Sequence, residues 1–126
     1  MNFGDHFEFV ADVTALAPPA AVAITLTNAL HTDRQLLRAI YRQLEAPYGG
    51  ENWDALRDVL ADLSWLCGGS IALLHPTLPL RSAAEQTIYL RILSQEAMRW
   101  QADGINRLRP VFWAGLKNTV RDLIGD

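Results

Sequence analysis

The chain has 126 residues, of which 50% are hydrophobic and 20% are charged, and its formal net charge is −3. This length and balance are typical of a single globular domain that buries its core without disulfides or metals. The acidic balance, with a pI of about 5.5, argues against nucleic acid or an anionic membrane as the partner.

Several features of the sequence indicate a cytoplasmic protein. Cys67 is the only cysteine, so no disulfide can form within the chain, which is compatible with a reducing compartment. The beginning, MNFGDHFEFVADV, has acidic residues where a signal peptide would have basic ones. No apolar run reaches the roughly 18 residues that a membrane span needs. We therefore expect a cytoplasmic protein that does not enter a membrane.

The first half of the chain predicts a strand and then a helix. AAVAITL, residues 20–26, is a short apolar run with β-branched side chains, which predicts a buried strand. HTDRQLLRAIYRQL predicts a helix that begins at Thr32 or Asp33 as its N-cap. Its expected inner face comprises Leu36, Leu37, Ile40, Tyr41 and Leu44, and its outer face carries Arg34, Arg38 and Arg42.

The middle of the chain predicts a second helix and a second strand. Pro and Gly residues at positions 47–50 interrupt the chain. A helix is then expected from Asn52, its N-cap, to Gly68-Gly69. SIALLH, residues 70–75, predicts the strand that follows.

The last part of the chain predicts a long helix and a third strand. The helix is expected over residues 82–101, with Gly104 as its end. LRPVFW, residues 108–113, predicts a strand at an edge of the sheet, because Pro110 lacks a backbone N–H. Trp113 is expected to pack in the core. Strands separated by helices indicate a small, mostly parallel sheet packed by helices.

The second helix has a row of carboxylates. Glu51, Asp54, Asp58 and Asp62 lie in it or just before it, against Arg57 as the single basic residue. Carboxylates four residues apart on a helix repel each other by a few tenths of a kcal/mol. Asp54 gains from the helix dipole, but Asp58 and Asp62 lie too far from the N-terminus to do so. A surface built for a cationic partner explains this row better than an indifferent solvated face does.

Helical geometry separates this row from the apolar residues of the same helix. At about 100° per residue, Asp54 and Asp58 lie opposite the core face and Asp62 lies somewhat to one side. Trp65 would lie on the same line if the helix extends that far, and it would then act as an interface anchor. The expected core face comprises Leu56, Val59, Leu60, Leu63, Leu66 and, at its margin, Trp53, which is shared between core and interface.

The segment YGGENWDALRDVL, residues 48–60, resembles the signature of the barstar family of ribonuclease inhibitors. The Tyr/Gly turn, Glu-Asn, Asp-Ala-Leu and the second Asp four residues on all have counterparts in that family. The motifs LEAP and RWQADG fit the surrounding order of elements. The resemblance covers about residues 22–113 and suggests one barstar-like domain over residues 1–126, with terminal extensions 1–19 and 114–126, of which the second is weakly helical.

The resemblance implies a three-stranded parallel sheet packed by helices, in the order strand-helix-helix-strand-helix-strand, and an inhibitor instead of an enzyme. It implies that Asp54 and Asp58 enter the active site of a ribonuclease, with Asp58 in the place of a substrate phosphate. A carboxylate can replace a phosphate at an Arg/Lys cluster through charge-assisted hydrogen bonds. Tyr48, Gly50 and Asn52 match the loop and helix cap that lie against the enzyme.

The expected partner is a secreted or toxin-type ribonuclease with a basic active site, bound one to one without any cofactor. The protein would then be an antitoxin or immunity protein, and neither nucleic acid nor membrane would be a partner. The residues expected to bind the partner are Tyr48, Gly50, Glu51, Asn52, Trp53, Asp54, Arg57, Asp58, Asp62 and Trp65.

The sequence also departs from the family pattern. The loop over residues 47–52 is one residue shorter, and Gly49 stands where an aromatic residue is usual. Arg57 replaces a Trp and places a positive charge beside the acids, so the enzyme need not be barnase itself. In the family a further acid comes from the third helix, and Glu96 and Asp103 are the approximate candidates here.

Two other functions remain open. Asp54, Asp58 and Asp62 could bind Mg²⁺ in a metal-dependent enzyme that handles phosphate, although no phosphate-binding loop lies near them in sequence. The protein could also be an interaction module with a barstar fold whose partner is not a nuclease. The three histidines have no spacing that indicates a metal site, so no metal is expected.

Overall fold

The described part of the chain alternates parallel strands with helices. The computed structural model describes residues 6–13, 22–47, 49–64, 70–104 and 107–125. Its strands are β1 (Glu8–Val10), β2 (Val22–Thr25), β3 (Ile71–His75) and β4 (Leu108–Trp113). Its helices are α1 (Asp33–Leu44), α2 (Trp53–Asp62), α3 (Ala83–Ala102) and α4 (Lys117–Ile124), with a 3₁₀ turn at Ala114–Leu116.

The strands form one parallel sheet in the order β1-β4-β3-β2. The predicted mixed α/β fold with a parallel sheet is therefore confirmed, but over the described residues the sheet has four strands and not three. The additional strand, β1, comes from the segment that was expected to be an N-terminal extension. In register, Ile71 of β3 lies between Val22 of β2 and Leu108 of β4.

β1 is held to β4 by both apolar and charged contacts. The rings of Phe7 and Phe9 lie 4.8 and 5.7 Å from the ring of Phe112. Arg109 donates two hydrogen bonds of 2.8 Å to the carboxylate of Glu8. β1 thereby covers an edge of β4 that would otherwise present unpaired backbone groups. The alternation of Phe7 and Phe9 was the signal in the sequence for this strand.

Pro110 lies in an inner strand, contrary to the expectation of an edge. The N–H of Ile71 donates to the carbonyl of Arg107 at 2.6 Å. Because successive strand residues bond to alternate neighbours, the nitrogen of Pro110 points away from β3. On that side β1 begins opposite Val111, where Glu8 is its partner in register. The missing N–H of Pro110 therefore lies outside the paired segment.

The two faces of the sheet pack differently. Buried residues from all four described α-helices join one large cluster, to which the sheet contributes Ile24, Ile71, Leu73, Leu108 and Phe112. The opposite face has a smaller cluster, formed by Val13, Ala72, Leu74 and Val111. Every residue of β3 is buried, as expected for an inner strand of a parallel sheet. The helices α1, α2 and α3 are thus packed together over one face.

His75, at the end of β3, is fully buried within this packing. Its Nδ1 lies 2.9 Å from the carbonyl of Val111 and its Nε2 lies 2.7 Å from the hydroxyl of Tyr89. Its ring stacks on Phe112 at 4.2 Å. Since a carbonyl can only accept, Nδ1 carries the proton and Nε2 accepts from Tyr89. Burial lowers the pKa of His75 from 6.5 to about 4, so the ring is neutral at pH 7.

α2 is shorter than its sequence predicts. The helix ends at Asp62, and Leu63 adopts the left-handed conformation with a φ of 49°. The N–H of Leu63 still donates to the carbonyl of Val59, and its side chain is completely buried. Burial therefore fixes a backbone conformation that leucine rarely adopts. The expected end at Gly68-Gly69, like Trp65, lies outside the described residues.

Trp113 is 46% exposed, so the expectation that it packs in the core is wrong. Side chains alternate between the two faces of a strand. Phe112 takes the core side at the end of β4 and is fully buried. Trp113 must therefore point to the other face, where fewer elements cover the sheet.

Candidate functional site

The beginning of α2 is fixed by the residue predicted to cap it. The side chain of Asn52 accepts a hydrogen bond of 2.8 Å from the backbone N–H of Ala55, and Asn52 itself has an extended backbone. The predicted N-cap is therefore confirmed. Because the helix begins at Trp53, Asp54 lies in its first turn and Asp58 lies one turn later, about 6 Å further along the axis.

Asp54 and Asp58 are both exposed on the outer side of α2. Within the described stretches, no Lys or Arg side chain forms an ion pair with either carboxylate. Asp62, also exposed, is the last residue of the helix, where the dipole disfavours a negative charge. The buried residues of α2 are Leu56, Val59 and Leu60, three members of the predicted core face, whereas Leu66 lies outside the described residues. The helix thus presents a negative outer surface.

Glu51 differs from these aspartates because it has basic partners on α1. Its carboxylate lies 2.8 Å from Arg38 Nη2 and 3.4 Å from Arg34 Nε. The hydrogen bond from Arg38, together with the charge of Arg34, lowers the pKa of Glu51. The sequence suggested that this acid has no basic neighbour, and that interpretation is wrong, since the partners come from another helix.

Tyr41 contacts the loop that precedes α2. Its hydroxyl donates a 3.0 Å hydrogen bond to the carbonyl of Gly50. A Cβ atom on Gly49 would lie 2.8 Å from the Tyr41 ring, so the ring lies directly against this glycine. Burial raises the pKa of Tyr41, and the charge of Asp58 raises it further, which places the phenol near the acidic row. The helical pattern assigned Tyr41 only to the inner face of α1 and gave no sign of these contacts.

The acids proposed from α3 lie in different environments. Glu96 is almost completely buried and accepts a 2.9 Å hydrogen bond from Arg99. Burial raises the pKa of Glu96, whereas the charges of Arg99 and Arg57 act in the opposite direction. Asp103 is exposed at the C-cap of α3. Of the two, Glu96 lies close enough to Arg57 and Asp58 to interact with their charges, but it is not accessible.

Of the aromatic residues predicted to bind the partner, the structure describes Trp53. Trp53 is partly buried, with its ring centroid 6.2 Å from that of Tyr89, and it packs on the core. Arg57 is exposed on α2. Tyr48 and Trp65 lie outside the described residues.

Among the described residues, no three His, Cys, Asp or Glu side chains form a group that could hold a metal ion. Asp54, Asp58 and Asp62 therefore do not form a ready ligand set in this structure. Likewise, no helix in the described segments is long and apolar enough to cross a membrane.

Comparison with known proteins identifies a family that matches most of the chain. The family model described as Barstar (barnase inhibitor) matches residues 20–112. Neither the comparison with curated proteins nor the comparison with solved structures gave a match. The family match extends from the residues just before β2 into β4 and includes the whole of α2. The chain therefore belongs to the barstar family, the family of barnase inhibitors.

Proposed function

We propose that the protein inhibits a ribonuclease by covering its cationic active site with the loop before α2 and the acidic side of that helix. The proposed binding surface comprises Gly50, Glu51, Asn52, Trp53, Asp54, Arg57, Asp58 and Asp62, together with Tyr48 and Trp65. The partner would be a secreted or toxin-type ribonuclease, bound one to one. The protein would then be an antitoxin or immunity protein that acts in the cytoplasm.

The observation that supports this proposal best is the state of Asp54 and Asp58. Both carboxylates are exposed on a capped helix, and neither is paired within the described part of the chain. The active site of a ribonuclease must hold the phosphates of its substrate with basic side chains. Two carboxylates on a rigid helix can meet such side chains through charge-assisted hydrogen bonds, with little ordering cost on binding.

The other residues have distinct proposed roles. Asp58 takes the place of a substrate phosphate, and Asp54 pairs with a second basic group. Gly50 and Asn52 bring the loop backbone against the enzyme. Arg57 lies beside the acids and selects an enzyme that offers a carboxylate at that point, because two facing cations would repel.

Inhibition of barnase tests the proposal directly, because barnase is the enzyme named in the description of the family. The purified protein is titrated into barnase that cleaves a fluorescent RNA, and activity should fall linearly to zero at one equivalent. EDTA should leave this inhibition unchanged. Other toxin-type ribonucleases with basic active sites extend the test to partners other than barnase.

Three outcomes would contradict the proposal. Full ribonuclease activity across the whole panel, at a large excess of the protein, would exclude this class of partner. Binding without any loss of activity would indicate an interaction module. A binding heat when MgCl₂ is titrated into the protein, together with release of phosphate from a substrate, would favour the alternative function. That function is a metal-dependent enzyme that uses Asp54, Asp58 and Asp62.

A further inference from the structure

We propose that Tyr41 is a positioning residue for the binding surface, because it holds the loop of residues 49–52 in one conformation before any partner arrives. The inference rests on the function proposed above, in which this loop lies against the enzyme. It extends the determinants of binding from α2 to α1, a helix that is not part of the proposed contact surface.

Tyr41 contacts the loop in two ways. Its hydroxyl bonds to the carbonyl of Gly50 at 3.0 Å, and its ring lies against Gly49 so closely that a Cβ there would be only 2.8 Å from the ring. Tyr41 is partly buried and packs on the main core. Packing against the core therefore holds the phenol in place, and the phenol contacts two consecutive glycines of the loop.

A further contact between α1 and the loop lies one residue along, at Glu51. Glu51 is bound by Arg38 at 2.8 Å and by Arg34 at 3.4 Å. Positions 34, 38 and 41 are spaced by four and three residues, so their side chains project from neighbouring turns of α1. α1 thus contacts Gly49, Gly50 and Glu51 in succession.

The glycines of the loop make such contacts necessary for its order. Two adjacent glycines have more backbone freedom than any other pair and lose the most entropy when they are ordered. Asn52 is fixed by its cap on α2, and the contacts of α1 with Gly49, Gly50 and Glu51 restrain the residues before it. If only a fraction of the molecules has the loop in the binding conformation, the apparent affinity is the intrinsic affinity multiplied by that fraction.

Tyr41 also interacts with the charge of the acidic row. Burial raises the pKa of Tyr41, and the negative charge of Asp58 adds to that increase.

The test uses Tyr41→Phe, which removes the hydrogen bond to Gly50 and keeps the ring, and Arg38→Gln, which removes the closer partner of Glu51. Arg42→Gln is the matched control, since Arg42 is an exposed arginine on the same helix and no bond between its side chain and the loop is found among the described residues. Backbone ¹⁵N order parameters of the free protein should fall at residues 49–52 in the first two variants and not in the control. The order parameters of β3 should be unchanged in all three.

Binding to barnase is the second readout. The rate constant for association of barnase with Tyr41→Phe should fall by roughly three- to tenfold. We expect this because a smaller fraction of the molecules then has the loop in the binding conformation. The salt dependence of the rate should match that of the wild type, because no charge has changed. A loss of stability alone would not produce this combination of a looser loop and an unchanged salt dependence.

Two results would overturn the inference. One is a loop with wild-type order parameters in Tyr41→Phe. The other is a loosened loop with unchanged association kinetics. If the wild-type protein does not bind barnase, that result counts against the proposed function for this enzyme, and the order parameters of the free protein still decide whether Tyr41 positions the loop.

Discussion

Side chains of the same chemical type have different roles here, according to what surrounds them. Glu51 is exposed but paired with two arginines, and Glu96 is buried against Arg99. Asp54 and Asp58 are exposed, with no ion pair found for them in the described segments. Of these four acids, Asp54 and Asp58 combine accessibility with a charge that no ion pair in the described segments offsets, which is why we assign the contact with a cationic enzyme chiefly to them.

Asp58→Ala tests whether this single carboxylate takes the place of a substrate phosphate. Binding to the cognate ribonuclease should weaken by about 3–5 kcal/mol, because the basic cluster of the enzyme would be buried without its partner. Unfolding in urea should show an unchanged or slightly higher stability, by about 0.2–0.5 kcal/mol, since repulsion along α2 is relieved.

Asp122→Ala is the matched control for that variant, as it removes an exposed aspartate from α4. Calorimetry should give it a dissociation constant close to that of the wild type. Inhibition by Asp58→Ala at wild-type strength would mean that Asp58 does not replace the phosphate.

At the scale of elements, β1 makes a segment outside the family match part of the sheet. The match begins at residue 20, whereas β1 covers Glu8–Val10 and pairs with β4. Phe7, next to β1, is buried against Phe112 in the main cluster. The strand therefore contributes to the core as well as covering the edge of β4.

Phe7→Ala should destabilise the protein by about 3 kcal/mol, because it removes a buried aromatic side chain and leaves a cavity. Ile88→Ala is the comparison, since Ile88 is a large apolar residue on α3 that is 42% exposed, and it should cost less than about 0.5 kcal/mol. Urea unfolding measures both values. Equal and small effects would mean that β1 adds little to the stability of the sheet.

At the scale of the whole molecule, the net charge of −3 and the exposed acids on α2 should attract a cationic partner from a distance. The rate of association with a basic ribonuclease should therefore fall steeply as salt is raised, while the rate of dissociation changes much less. Stopped-flow measurements over a range of ionic strength test this. An association rate that is independent of salt would contradict an electrostatic inhibitor.

The stability of the whole fold should depend on pH through His75. The pKa of this buried ring is about 4 in the folded protein, against 6.5 as its ordinary value. Between these values the unfolded chain binds a proton that the folded chain excludes, so acid favours unfolding. The contribution is fully present above pH 6.5 and is lost as the pH falls towards 4, by at most about 3 kcal/mol.

Urea unfolding at pH 7 and pH 5 measures this loss, and NMR titration follows the ring directly. A His75 signal that titrates near pH 6.5 would show that burial does not keep the ring neutral.

The sequence by itself determined the features that depend on neighbours along the chain. Helical periodicity predicted most of the core faces of α1 and α2. The capping preference of Asn52 predicted where α2 begins, and that of Thr32 or Asp33 predicted the start of α1, where Thr32 is the cap. The order of apolar runs predicted a mixed fold with a parallel sheet, and the row of acids on α2 predicted an exposed negative face. Each of these follows from interactions within one element, so they can be read from the spacing of residues.

Only the tertiary structure decided which distant residues meet. β1 pairs with β4, a strand distant in the sequence, which makes β4 with its Pro110 an inner strand, and Glu8 meets Arg109 across 101 positions. Glu51 finds its arginines on α1, and Tyr41 lies against the glycines before α2. No local pattern encodes these contacts, because they arise when separate elements pack over the same face of the sheet and bring their side chains within hydrogen-bonding distance.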